Sequence, residues 1–138
     1  LTLTLTLTLT LTLTLTLTSI SGGAALKLMI LDTYSKKTII STNIPIDTEN
    51  VTLTWIGHSE EGVLLIADSN GYVYGLFPQF DWQWTPLLDF YEVKKNKHEG
   101  HWIIGLTEDK LVYVPLAPGV SSPPVTAQRP PTQVSLRV

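Results

Sequence analysis

The chain opens on residues 1–18, in which Leu and Thr alternate without a break. An alternation of period two puts every Leu on one face of an extended strand and every Thr on the other. Wound into a helix of about 3.6 residues per turn, the same residues would scatter Leu around the whole circumference. The run therefore predicts a strand. Being long, uncharged and free of Pro, it is also an aggregation hazard. The codons CTA and ACC encode Leu and Thr, so translation of a tandem CTAACC repeat yields this dipeptide; a mixture of unrelated codons would exclude that origin. The run itself suggests no function. Residues 1–18 are read as a low-complexity repeat with no domain of its own, and residues 19–138 as the informative part.

From there the chain is punctuated at short intervals. Residues 19–25 read as a small junction with Gly22 and Gly23, followed by the apolar run Leu26-Lys27-Leu28-Met29-Ile30-Leu31. After the polar turn Tyr34-Ser35-Lys36-Lys37 comes a second short strand, Thr38-Ile39-Ile40-Ser41. Beyond Pro45, Val51-Thr52-Leu53-Thr54-Trp55-Ile56-Gly57 reads as a third, rich in β-branched and aromatic residues. Glu60-Glu61-Gly62 marks a turn and residues 63–67 a further apolar strand. Asp68-Ser69-Asn70-Gly71 is a hairpin signal, because Asn-Gly readily supplies positive φ, and Tyr72-Val73-Tyr74-Gly75-Leu76-Phe77 is its partner strand. Trp82-Gln83-Trp84-Thr85 alternates with period two and is expected to stop at Pro86. Residues 92–100 read as a polar loop. His101-Trp102-Ile103-Ile104-Gly105-Leu106 and Lys110-Leu111-Val112-Tyr113-Val114 form a second hairpin through Thr107-Glu108-Asp109. Residues 115–131 are a Pro-rich crossing, and residues 132–137 a last strand.

These are eight or nine strands at a spacing of roughly ten residues, the rhythm of an all-β sandwich, barrel or propeller, with no amphipathic helix. A propeller blade is four antiparallel strands in about 40–45 residues, so residues 19–138 would hold two blades and part of a third. Rings close with about four to eight blades. The expected fold class is thus all-β, a partial β-propeller of antiparallel strands forming an incomplete ring.

Composition narrows the function classes. Of the chain, 43% is hydrophobic and 15% charged, against about 25% charged in an ordinary domain. That balance suits strands buried on one or both faces and not a disordered chain. A formal net charge of −3 argues against a phosphate-backbone binder, which needs a basic patch. The densest basic run, Lys94-Lys95-Asn96-Lys97, reads as a solvated loop. The absence of cysteine excludes disulfides and Cys-based metal sites. No apolar run approaches membrane-span length, and the N-terminus has neither a signal-peptide pattern nor an initiating Met.

No catalytic constellation stands out. His98 and His101 with Glu99 have metal-ligand residue types but sit in what reads as polar surface. His58 and Ser59 are adjacent, so on a strand they point to opposite faces and make a poor nucleophile–base pair. Asp32, Asp68, Asp81, Asp89, Glu60 and Glu61 mostly flank turns. Gly57, Gly62, Gly71, Gly75, Gly100 and Gly105 sit at strand ends or turns and form no phosphate-cradling loop. Catalytic, cofactor-binding and metal residues are accordingly expected to be none, with no cofactor. The aromatics Trp55, Trp82, Trp84 and Trp102, with Tyr72, Tyr74 and Tyr113, fit either a stacking platform or the filling between sheets; packing is the reading preferred.

The run Leu53-Thr54-Trp55-Ile56-Gly57-His58-Ser59-Glu60-Glu61-Gly62 resembles the second β-propeller of the family variously called minichromosome loss protein, chromosome transmission fidelity protein and acidic nucleoplasmic DNA-binding protein. Ala67-Asp68-Ser69-Asn70-Gly71, Trp84-Thr85-Pro86-Leu87-Leu88-Asp89, His101-Trp102-Ile103-Ile104-Gly105-Leu106 and Arg129-Pro130-Pro131 follow in the family's order. Upstream, residues 25–32 and Ile44-Pro45-Ile46 fit the preceding strand and linker. The resemblance implies a nuclear, non-catalytic scaffold that trimerises and links the replicative helicase to DNA polymerase α, through regions that lie outside this chain. No partner-binding residue is carried over, and neither direct nucleic-acid binding nor membrane association is expected. Two other readings stand beside it: a truncated gene relic without function, and a small β-sandwich that binds carbohydrate through exposed Trp. A transcript beginning in the repeat and stopping near Val138 would favour the relic.

Overall fold

The computed structural model describes residues 2–6, 11–20, 23–47, 49–59, 61–93, 98–107, 109–124 and 130–136, with side chains described from Leu26 onward. Pairing follows chain order. Strands β1 (Thr2–Thr6), β2 (Leu11–Ile20), β3 (Gly23–Asp32) and β4 (Thr38–Asn43) form one four-stranded sheet, each beside its sequence neighbour. A second has β5 (Leu53–His58), β6 (Leu64–Asp68), β7 (Tyr72–Phe77) and β8 (Gln83–Asp89). A third has β9 (Gly100–Thr107), β10 (Lys110–Leu116) and β11 (Thr132–Ser135). Every pairing is antiparallel. The only helical turns among the described residues are a 3-10 turn at Pro78–Phe80 and α1 (Phe90–Val93).

The middle strand β6 explains how the sheets stack. Its five residues are all buried, and successive side chains of a strand point to opposite faces. Leu64 and Ile66 join Leu28, Ile30, Ile44, Ile46 and Leu76 in a core against the first sheet. Leu65 and Ala67 face the other way, into a second core with Val73, Phe77, Leu87, Phe90, Ile103, Leu111 and Tyr113 against the third. The second sheet is therefore packed on both faces, each seam built from apolar side chains worth roughly 1.5–3 kcal/mol apiece on full burial. Among strands of different sheets, β5 and β9 approach most closely. Antiparallel meanders of three or four strands stacked face to face, the second and third nearest at their leading strands, are propeller blades; the chain is all-β, a partial β-propeller without a closed ring.

Several boundaries differ from the sequence expectation. Residues expected as a junction after the repeat are largely taken up by the ends of β2 and β3, which pair from Leu11↔Asp32 to Ile20↔Gly23. Strand β8 does not stop at Pro86 but runs through it to Asp89. It lies at the edge of its sheet, and its register with β7 shifts between Val73 and Tyr74, opposite Pro86. A proline is tolerated at such an edge or bulge because the missing N–H is not needed by a neighbour. Pro115 likewise sits in β10 beyond Tyr113, where pairing with β11 ends. The loop expected at residues 92–100 gives Glu92 and Val93 to α1, and Lys94-Lys95-Asn96-Lys97 lie outside the described residues.

Candidate interaction surface

The residues singled out for chemistry turn out to serve turns and seams. The Asp68 carboxylate is buried at the end of β6, and its Oδ1 accepts from Asn70 N and Tyr72 N at 3.0 Å each. Only Gly71 of that loop has positive φ, at 90°, so the hairpin is a three-residue loop closed by a carboxylate and one left-handed glycine rather than an Asn-Gly pair. The Gly71 carbonyl accepts from Phe90 N at 2.9 Å, which places Phe90 under the turn. The His101 ring stacks on Phe90, with centroids 3.8 Å apart and planes 11° apart, while Tyr113 meets Phe90 edge-on at 5.0 Å. His101 is thus part of the packing between the second and third sheets.

The remaining candidates follow the same logic. His98 and Glu99 precede β9, and no group of three or more His, Asp or Glu able to hold a metal ion occurs among the described residues. The Ser59 hydroxyl accepts from Val63 N at 3.0 Å, closing the β5–β6 turn, and His58 Nδ1 lies 2.9 Å from the Ser59 carbonyl oxygen. They do not form a nucleophile–base pair. Asp32 caps the β3–β4 turn, accepting from Tyr34 N and Ser35 Oγ at 2.9 Å each; these bonds hold its carboxyl below the ordinary carboxylate value. The Asp89 carboxylate accepts from Tyr91 N at 2.8 Å, and Asp81 occupies a left-handed turn with φ 57°. Glu60 lies outside the described residues.

Of the tryptophans, Trp55 packs against the second seam, Trp82 and Trp84 against the first. Trp82 belongs to the turn before β8, with φ 55°, rather than to the strand. Tyr74 leans on the first seam, and Tyr113 is buried in the second. Burial chiefly, with Asp68 next, pushes the Tyr74 hydroxyl above its ordinary pKa; burial, then Glu99, does the same for Tyr113. The packing reading thus holds for most of the aromatic set; Tyr72 departs from it, 40% exposed, and so does Trp102, 46% exposed.

That exposure locates the surface. On β9, Ile103 points into the seam, while Trp102 and Ile104, 54% exposed, lie on the opposite side. Val114 stands opposite Trp102 on β10, and Val112 and Val114 are half-buried. The third sheet therefore has one apolar face packed and one apolar face open. Trp102 also borders a cavity of about 310 Å³ lined by Thr54, Trp55, His101 and Ser121, where β5 and β9 converge. A larger apolar cleft of about 500 Å³ lies at another part of the same seam, between Val63, Leu65, Phe77, Leu106 and Leu136, with Glu61 and Asp109 at its rim. The sequence singled out Trp102 only as one of several aromatics and passed over Ile104. Their spacing of two around Ile103 was the available signal, though alternation alone does not say which face is inward.

The comparisons agree with this architecture. The family model for "Minichromosome loss protein, Mcl1, middle region" matches residues 4–138. The chain is 35% identical over 78 residues to "Protein ENHANCER OF LHP1 1" of Arabidopsis thaliana, covering 53% of the chain. It is 32% and 33% identical over 89 residues to "WD repeat and HMG-box DNA-binding protein 1" of Mus musculus and Homo sapiens, covering 64% of the chain. In each case it spans about 8% of the relative's length.

Proposed function

Since the chain belongs to the minichromosome loss protein family, over its middle region, we propose that it is a non-catalytic structural and interaction element of a nuclear DNA-replication scaffold. In that role residues 19–138 supply stacked blades, and residues 115–131 cross between parts of the assembly. The complete scaffold self-associates as a homotrimer and links the replicative helicase to DNA polymerase α through regions beyond this chain. No site residue, metal or cofactor is assigned, and neither direct nucleic-acid binding nor membrane association.

The observation that supports this reading best is the division of labour in the side chains. Carboxylates and hydroxyls close turns, aromatics fill seams, and the open apolar face around Trp102 and Ile104 suits protein contact. The full-length product that contains this chain is expected to bridge purified replicative helicase and purified polymerase α in one ternary complex on a sizing column. Failure to bind either one overturns the linking role. Quenching of Trp fluorescence by oligosaccharides, without such bridging, would instead assign Trp102 to a carbohydrate-binding surface.

A further inference from the structure

We propose that β1 is a self-complementary sheet edge on which the β1 strand of a second copy of this chain pairs, Leu-Thr against Leu-Thr, in several registers two residues apart. The first sheet runs β1-β2-β3-β4, so among the described residues β1 has a paired flank toward β2 and an open one. An open flank presents a row of N–H and C=O groups that templates another strand.

The chain already displays the pairing required. Strands β1 and β2 are two stretches of one repeat, and they form an antiparallel ladder with Thr2↔Thr16, Leu3↔Leu15 and Thr4↔Thr14. Two β1 strands brought together antiparallel reproduce that ladder, like residue opposite like, about a twofold axis. The complement of this edge is therefore its own sequence.

Register is constrained in parity and free in position. Against β3, Leu13 stands opposite Ile30, Leu15 opposite Leu28 and Leu17 opposite Leu26, and Leu28 and Ile30 belong to the first core. A slip of one residue would set Thr opposite these positions, whereas a slip of two restores the same pattern. Strand β1 inherits this degeneracy, because every second register pairs Leu with Leu. Two of the other edges carry obstacles: β8 contains Pro86 and β4 is followed by Pro45. The repeat has no charge, Pro or Gly in residues 1–18.

The intact chain tests this by sedimentation velocity across a concentration series. The wild type is expected to associate reversibly. Thr4→Lys, which sets Lys opposite Lys in one register and a charge on the edge in all, is expected to weaken association by about tenfold or more. Tryptophan fluorescence checks the fold of the variant, since all four Trp lie outside the repeat. The chain has no cysteine, so Leu3→Cys, Thr4→Cys and Leu5→Cys each carry one thiol. Each of these positions meets itself in a different register, two residues from the next. A short bis-maleimide should cross-link all three into dimers and leave Thr107→Cys monomeric. A chain that stays monomeric, or association unaffected by Thr4→Lys, overturns the proposal. Cross-linking confined to one of the three positions overturns its register multiplicity.

Discussion

Gly75 and Gly105 occupy strands with ordinary backbone angles, yet only one has room for a side chain. A Cβ on Gly75 would come 2.7 Å from Phe77 Cε2 and 2.8 Å from Leu87 Cδ1, both held in the second core. Those contacts are too short for either ring or methyl to stay in place. Overpacking of this kind costs about 1–3 kcal/mol. A Cβ on Gly105 meets nothing within 4 Å, and the substitution narrows the unfolded ensemble, an effect of about 0.4–1 kcal/mol in favour of the fold. Gly75→Ala is therefore expected to lower the urea midpoint and Gly105→Ala to hold or raise it. Equal effects of the two would show that space around Gly75 does not decide its identity.

At the scale of elements, the β3–β4 turn depends on one ionised group. The Asp32 carboxylate accepts from Tyr34 N and Ser35 Oγ, and its pKa is lowered, by the Tyr34 N–H first and the Ser35 hydroxyl second. A lowered folded value means the charged form is favoured in the fold. Its contribution is present above the ordinary pKa of about 3.9 and is lost as pH falls through the lowered folded value. Asp32→Asn is expected to melt below the wild type at neutral pH, with the gap closing on acidification; a gap independent of pH would place the effect elsewhere. This turn was legible in the sequence as a polar interruption between apolar runs, as were the strands on both sides. The course of β8 was not, because a proline reads as a stop until its neighbour is known, and only the sheet shows that Pro86 lies at an edge. The β6–β7 loop was found for a partly mistaken reason: Asn70 keeps negative φ, and the Asp68 carboxylate closes the turn. Trp82 was placed in a strand by alternation, but a left-handed turn holds it outside one. Local pattern located the elements, while the face each one buries depended on partners far along the chain.

In the whole molecule, the two seams meet on the second sheet, and β6 ties them together by facing both. The sequence signalled this only as an uninterrupted apolar run, which marks a strand buried on both faces without naming what covers it. Each seam holds a tyrosine whose ionisation the fold resists: Tyr74 beside the first and Tyr113 in the second. Burial is the leading cause for both, with Asp68, Tyr72 and Asp89 adding to it at Tyr74 and Glu99 at Tyr113. Raised values mean that the neutral phenol is favoured in the fold. The corresponding stability is fully present below the ordinary pKa of about 10 and is lost as pH rises through the raised folded values. Base should therefore open both seams together, because an ion forming in either one loosens the sheet they share. Tyrosinate absorbance and tryptophan fluorescence are expected to change over the same pH interval. Tyr74→Phe and Tyr113→Phe should each move the alkaline midpoint upward, and the double variant further than either. If fluorescence shifts before tyrosinate appears, or the Phe variants leave the midpoint in place, lysine deprotonation and not the seam tyrosines governs the alkaline limit. If only one variant moves it, the seam holding that tyrosine opens first and the other survives it, which would end the claim that β6 couples them.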